Sequence, residues 1–336
     1  MTKWYEEPGI NDDVVISSRI RIARNIENIK FPQEMTLEES QNVNNKVTEA
    51  VGKVYDNYDY YQVGELSLLD SHVFVEEHLI SPNLIQFPNR GSFFLRKDEM
   101  ATIMINEEDH LRIQTLMTGL QLDECWSLCD EIDDSLEETL DYAFDEKFGY
   151  LTSCPTNTGT GLRASVMIHL PSLVYTGYVN SIFQAVSKIG LTVRGLYGEG
   201  TSALGNIFQI SNQTTLGESE EEIIRKLKNV ILQIIEKERE IRKNLANSKG
   251  YEVEDKVYRS LGLLKYGRII SSKEAMSLLS DVKLGVEMGI IKEVDAKNIT
   301  NLMILIQPAS IQKYYNRKMD LEERQMKRAE LIREKL

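Results

Sequence analysis

Apolar residues recur along this chain with two different periods, and the change from one to the other divides it. In the first two thirds, short apolar runs bounded by turn residues predict strands over residues 13–16, 101–105, 165–169, 191–196 and 207–211. Helical spacing interrupts them. Leu122, Cys125, Trp126, Cys129, Ile132, Leu136 and Leu140 form one stripe of a helix predicted over 123–146, whose other face is acidic. A second helix is predicted over 173–189. Strands and helices mixed in this way suggest an α+β fold, a largely antiparallel sheet flanked by helices. From Ser219 the pattern becomes helical throughout. Ser219 with Glu222 reads as a capping box. Ile223, Leu227, Val230, Ile231, Ile234, Ile241 and Leu245 follow on one face, and Asn247-Ser248-Lys249-Gly250 reads as the helix stop. Helices are then predicted over 252–264, over 273–288 behind Ser271 and Glu274, and over 295–305, followed by a charged tail. The expected division is a domain over 1–250 and a small all-helical domain over 251–336, suited to dimerisation or regulation.

A chain of 336 residues that is 42% apolar and 27% charged is long and apolar enough for a full core. No apolar run approaches the roughly 18 residues of a membrane span, and the first residues lack the apolar segment of a secretion signal, so a cytoplasmic protein is expected. A net charge of −13 disfavours nucleic acid or an anionic membrane as partner. Three cysteines suit a reducing compartment better than a disulfide framework. Cys125 and Cys129 lie on the apolar stripe with no further ligand nearby, so they read as core, and no protein metal ligands are expected.

Polar chemistry is concentrated in five segments. Four carry arginine beside small or acidic residues: Ser17-Ser18-Arg19-Ile20-Arg21, Asn106-Glu107-Glu108-Asp109-His110-Leu111-Arg112, Cys154 through Arg163, and Arg194-Gly195-Leu196-Tyr197-Gly198-Glu199-Gly200. The fifth is His78-Leu79-Ile80-Ser81-Pro82. A Walker A loop is missing, as are the lysine, catalytic-loop and Asp-Phe-Gly elements of ordinary protein kinases. Gly159-x-Gly161 and Gly198-x-Gly200 do not complete a dinucleotide fingerprint. A bound triphosphate would need another partner, and arginines offer permanently charged, planar, bidentate donors to phosphate oxygens.

The order and spacing of these segments resemble the phosphagen (guanidino) kinases, and among them the bacterial protein-arginine kinases. The resemblance implies the guanido-kinase catalytic fold, with ATP as phosphoryl donor and Mg2+ held by phosphates and water. It implies that Arg19, Arg21, Arg112, Arg163 and Arg194 clamp the phosphates while Ser17, Ser18 and Ile20 shape the first loop. Ala164, Ser165, Val166 and Met167 would line the nucleotide site, together with Gly195, Leu196, Tyr197 and Gly198, and His78 would meet the nucleotide. A guanidinium acceptor is a poor nucleophile, its pKa lying above about 12, so carboxylates must orient it and take its proton. Glu108 and Glu199 match the family's substrate carboxylates, with Glu107 available to the same acidic network. Cys154 matches the reactive cysteine, whose expected part is to position the guanidinium by charge.

Only 16 residues precede Ser17, where classical phosphagen kinases carry a helical domain that closes over a free amino acid. Without that lid the pocket is expected to admit an arginine side chain still within a protein. A free-arginine kinase and a non-catalytic adaptor for phosphoarginine are the alternatives. In the protein-arginine kinases, phosphoarginine marks clients for a Clp-type protease and inactivates a heat-shock repressor, and a zinc-binding protein acts as activator. A homodimer is expected. The family's tail motif for sensing phosphoarginine corresponds here to Arg324, Gln325, Arg328 and Ala329, with neutral Gln325 where an aspartate is usual.

Overall fold

Residues 3–195 and 203–336 are described by the structure, a computed structural model. The elements run β1 (Val15–Arg24), α1 (Leu37–Val54), β2 (Tyr58–Gln62), α2 (Leu68–Glu76), β3 (Ser92–Arg96), β4 (Ala101–Ile105) and β5 (Leu111–Thr118). Next come α3 (Leu122–Glu137), the short pair β6 (Phe144–Asp145) and β7 (Gly149–Tyr150), and β8 (Leu162–His169). Helices α4 (Pro171–Tyr175) and α5 (Val179–Lys188) precede β9 (Leu191–Gly195) and β10 (Ile207–Asn212). The rest is helical: α6 (Glu220–Tyr266), α7 (Ser272–Glu287), α8 (Ala296–Leu305), α9 (Pro308–Tyr314) and α10 (Leu321–Lys335).

Eight strands form one antiparallel sheet in the order β2-β3-β4-β5-β1-β8-β10-β9. The expected α+β architecture is therefore present, with β1 at the centre. Helices α1, α3 and α6 contribute Val47, Cys125, Cys129, Ile132 and Leu227 to a core shared with Ile20 and Ile22 of β1. On the opposite face a second cluster gathers Trp4, Leu79, Phe93, Met104 and Leu116.

Several predicted boundaries shift for local reasons. The strand foreseen over 13–16 continues to Arg24, because Ile20 and Ile22 alternate with polar positions and pair with β5 and β8. The helix expected to reach residue 146 stops at Glu137. Beyond it the chain pairs with the segment after β1, Glu27 N donating to Asp141 O at 2.8 Å and Ala143 N to Asn25 O at 2.8 Å. The helix expected over 173–189 breaks into α4 and α5 at Gly177, whose φ of +77° is left-handed. The stop foreseen at 247–250 is instead a kink within α6, at Lys249 (φ −136°, ψ 30°). Gly250 does not take the left-handed conformation that a helix-ending glycine adopts.

The end of β1 is fixed by a buried ion pair. Arg24, 2% exposed, donates from Nε and Nη2 to Asp133 Oδ2 of α3 at 3.0 and 2.6 Å. Its Nη1 reaches Ala23 O and Thr160 O, and the guanidinium lies 3.4 Å from the Tyr150 ring centroid. Removing one partner strands a charge away from water. Asp133→Ala is expected to lower stability by about 3–5 kcal/mol in urea unfolding, whereas Arg24→Met with Asp133→Leu should recover most of that loss.

Candidate active site

Side chains along a strand alternate between faces, and β1 uses the alternation to separate core from chemistry. Ile20 and Ile22 are fully buried among the helices, while Arg19 and Arg21 occupy the other face. Cross-strand pairing extends that face sideways. Arg21 lies opposite Gln114 of β5 and Arg163 of β8, Arg19 opposite Leu116 and Ser165, and Ala23 opposite Arg112. One strand further, Gln209 of β10 lies opposite both Met167 and Arg194. Directly paired residues share a face. Arg19, Arg21, Arg112, Arg163 and Arg194, widely separated in sequence, thus form one cationic surface.

That surface opens into a cavity of about 180 Å³ lined by Arg21, Arg112, Arg163 and Arg194 together with Glu108 and Cys154. A smaller recess with Ser17, Arg19, His78, Ser165 and Met167 adjoins it, Gln209 lining both. A larger cavity, about 820 Å³, lies elsewhere, between α2, β3 and helices α8 to α10, and contains none of these arginines.

Among the described residues, Arg19 and Arg163 are held by neutral groups. Arg19 Nη2 donates to Gln209 Oε1 at 3.0 Å, and Arg163 Nη1 donates to Asn212 O at 2.9 Å. Arg112 is the exception, ion-paired to buried Glu107 and, at 3.1 Å, to Glu108. Arg21 has a buried Nε without a hydrogen-bond partner among the described residues. Burial pushes the Arg21 guanidinium well down from its ordinary value, with Arg19, Arg112 and Arg163 adding repulsion. Burial and then Arg112 push Arg19 down to about 10. Burial, with Arg194 next, lowers Arg163 as well. Like unit charges about 4 Å apart repel by about 4 kcal/mol at an effective dielectric of 20, so such a cluster favours a polyanion. An orphaned guanidinium N–H among planar cationic donors fits a phosphate chain.

Glu108 lies in the tight turn between β4 and β5. Asn106, at φ +57°, begins that turn and donates to Ser40 O at 3.0 Å. Asp109 Oδ1 accepts from Asn25 Nδ2 at 2.8 Å and from Ser153 N at 2.7 Å, tying the glutamate turn to the Cys154 loop. Gln33 makes a second tie, donating to Glu108 O and accepting from Ser153 Oγ, both at 3.0 Å. His110 Nδ1 accepts from Ile26 N at 2.9 Å, which leaves Nε2 as the donor to Lys30 O at 2.8 Å. Burial lowers its pKa, so this imidazole is neutral and structural. Cys154 Sγ lies 3.0 Å from Thr156 Oγ1. Gly161, with φ +67°, passes so close to β1 that a Cβ would meet Ala23 O at 2.6 Å.

Other residues implied by the sequence fall differently. The side chains of Ile20, Ala164 and Val166 belong to the helix-covered core. Ser18 Oγ donates to Gly119 O at 2.8 Å and accepts from Gln121 N at 3.0 Å, away from the cavity. Gly195 ends β9 opposite Phe208. Glu199, Leu196, Tyr197 and Gly198 lie outside the described residues. In the tail, Arg328 is 2% exposed and donates from Nε to Ile306 O at 2.8 Å and from Nη1 to Ile270 O at 3.1 Å. Arg324 Nη1 donates to Met319 O, Gln325 O accepts from Ile270 N, and Ala329 is buried. This segment packs α10 onto its neighbours. The sequence reading missed Gln33, Gln114, Asn157 and Gln209. Only Gln209, two positions before Ser211 on a foreseen strand, left a periodic signal.

Residues 42–241 match the C-terminal catalytic domain family of ATP:guanido phosphotransferases, and residues 250–336 match the protein-arginine kinase McsB C-terminal domain. Among solved structures, a lombricine kinase superposes with a TM-score of 0.63 at 24% identity over 71% of each chain, a likeness of fold. The protein-arginine kinase of Clostridium tetani is 48% identical over 100% of this chain and 99% of its own. That of Caldanaerobacter subterraneus is 50% identical over 95% of this chain and 96% of its own. The chain belongs to the protein-arginine kinase family.

Repulsion within the arginine cluster gives a direct test. Tripolyphosphate at about 100 times its Kd should stabilise the protein by about 2.7 kcal/mol, read as a rise in melting temperature. Arg21→Met should melt no lower than the parent without the anion, since it removes a repelled buried charge, and should lose most of the rise.

Proposed function

We propose that the protein transfers the γ-phosphoryl group of ATP to arginine side chains of proteins. The observation that carries this reading is one cavity with Arg21, Arg112, Arg163 and Arg194 on its cationic side and Glu108 and Cys154 beside them. The four arginines, with Arg19, hold the triphosphate in line and neutralise charge spread over the phosphoryl group in flight. His78, Ser165 and Met167 belong to the nucleotide side. Mg2+, carried in with the phosphates and water, adds charge neutralisation. Glu108 orients the acceptor guanidinium and Glu199 is the second carboxylate. A guanidinium nitrogen attacks the γ-phosphorus, the P–O bond to the β-phosphate breaks, and ADP leaves with its electron pair. The nitrogen's proton passes to the carboxylate as the P–N bond forms. Cys154 sits beside the acceptor and fixes its approach.

In this reading residues 1–250 form the catalytic unit and 251–336 a helical unit for dimerisation or regulation. Clients bear exposed arginines, a heat-shock repressor among them, and pass to a Clp-type protease, with a zinc-binding protein as activator. The proposed location is the cytoplasm. Among the described residues no helix is long and apolar enough to cross a membrane.

Incubation with ATP, Mg2+ and an arginine-rich protein should yield acid-labile phosphate on arginine by mass spectrometry. Glu108→Gln should lower kcat by about 10²–10⁴-fold with little change in KM for ATP. Phosphate only on serine, threonine or tyrosine, or turnover only with free arginine, would sink the proposal.

A further inference from the structure

His78 follows directly on α2 in a left-handed backbone conformation, φ +61°, which is unfavourable for a residue with a Cβ. Backbone bonds that end α2 hold it there, His78 N donating to Val75 O at 3.0 Å and Leu79 N to Phe74 O at 2.9 Å. Two side chains add to that support. Gln114 Nε2 donates to His78 O at 2.9 Å and to Leu79 O at 3.0 Å from the sheet below. From the N-terminal segment, the indole Nε1 of Trp4 donates to Glu77 O at 2.8 Å. Trp4 is 2% exposed, so a lost indole hydrogen bond would leave that carbonyl unsatisfied.

Trp4 also shares a cavity with the histidine. A narrow cavity of about 10 Å³ is bounded by Trp4, Ile16, His78, Met167, Met303 and Ile304. On its other side His78 bounds the recess containing Ser17, Arg19, Ser165 and Gln209. His78, with Met167, therefore lies between a mostly apolar pocket and the Arg19 recess. Lys3, one residue before Trp4, anchors the same segment, its Nζ lying 3.1 Å from Glu77 Oε2 and 2.6 Å from Glu99 Oε1. Burial foremost, and then Arg19, pushes His78 down to about 3, so its ring is neutral at ordinary pH and depends on placement rather than charge.

We infer that Trp4 is a positioning residue for nucleotide binding: its indole N–H on the Glu77 carbonyl and its place in the cavity shared with His78 hold that histidine against the Arg19 recess. This rests on the reading of His78 as a nucleotide contact. The N-terminal segment is then part of the ATP site without touching ATP, and its loss appears in nucleotide affinity rather than in phosphoryl transfer.

The experiment measures KM for ATP, kcat and KM for the protein substrate in full-length Trp4→Phe, His78→Ala and the double variant. Trp4→Phe keeps the ring and deletes the N–H, and should raise KM for ATP about fivefold with kcat and the other KM near the parent values. In the His78→Ala background it should add almost nothing. Lys3→Met, at a partly exposed position, should raise KM for ATP less and be silent in the same background, which keeps the test available if Trp4→Phe folds poorly. An equal effect of Trp4→Phe with and without His78 would overturn the inference, because Trp4 would then act through general stability. No effect of Trp4→Phe or Lys3→Met where His78→Ala raises KM would overturn it too, leaving the nucleotide role of His78 intact. If His78→Ala leaves KM for ATP unchanged, the nucleotide role of His78 falls, and the inference with it.

Discussion

Among the described residues, this site depends on keeping several guanidinium groups charged, close together and short of carboxylate partners. A folded chain normally avoids that arrangement, since each buried cation invites a carboxylate. Here the first neighbours are chosen to fix geometry without cancelling charge. Gln209 and Ser165 hold Arg19, and Asn157 with a backbone carbonyl holds Arg163. Had carboxylates filled those positions, the arginines would be better satisfied alone and worse at gripping phosphate. The folded state accepts repulsion that a polyanion relieves, which is electrostatic preorganisation in its elementary form. Arg112 shows the opposite choice. Paired with Glu107 and Glu108, it ties the arginine cluster to the carboxylate that shares its cavity, so Glu108 is itself placed by a member of that cluster.

The part of the cavity formed by Glu108 and Cys154 is braced by groups that do not line it. Buried Asp109 bridges the turn carrying Glu108 to the loop carrying Cys154, and exposed Gln33 repeats the bridge from outside. Short loops anchored twice in this way keep their side chains in place, and orientation of that kind is where a contribution to rate arises. His110 illustrates how sequence position misleads. It sits beside the chemistry, yet both ring nitrogens are committed to the backbone at Ile26 and Lys30.

Much of this was legible beforehand, and the omissions have physical causes. The strands over 101–105 and 207–211 and the capped helices after Ser219 and Ser271 were visible because period and cap chemistry are local. The length of β1 was not, because a strand with arginines on one face carries half the apolar signal of a core strand. The arginine cluster emerged from motif order, but its unity comes from register: Arg21 beside Arg163 and Gln209 beside Arg194 are facts of strand pairing between distant segments. Neutral partners such as Gln209 and Asn157 carry no charge signature to find. In the tail, Arg328 is buried and donates to two backbone carbonyls, and Arg324 donates to a third, contacts between segments that no local pattern announces.

Register is also the reason that the helical part matters to the chemistry. A one-residue slip of β1 would turn Arg19 and Arg21 into the helix-covered core and bring Ile20 and Ile22 into the cavity, because side chains alternate strictly. Both ends of the strand are pinned against such a slip. At its end, Arg24 is locked to Asp133 of α3. At its start, Asp13 accepts from Arg239 and Arg242 of α6, while Lys283 of α7 donates to Asp12 O. Pairs at the start are partly exposed, and singly each contributes little. Together they tie the strand that carries Arg19 and Arg21 to two helices of the C-terminal half, so the register of β1 and the packing of α6 and α7 are set jointly.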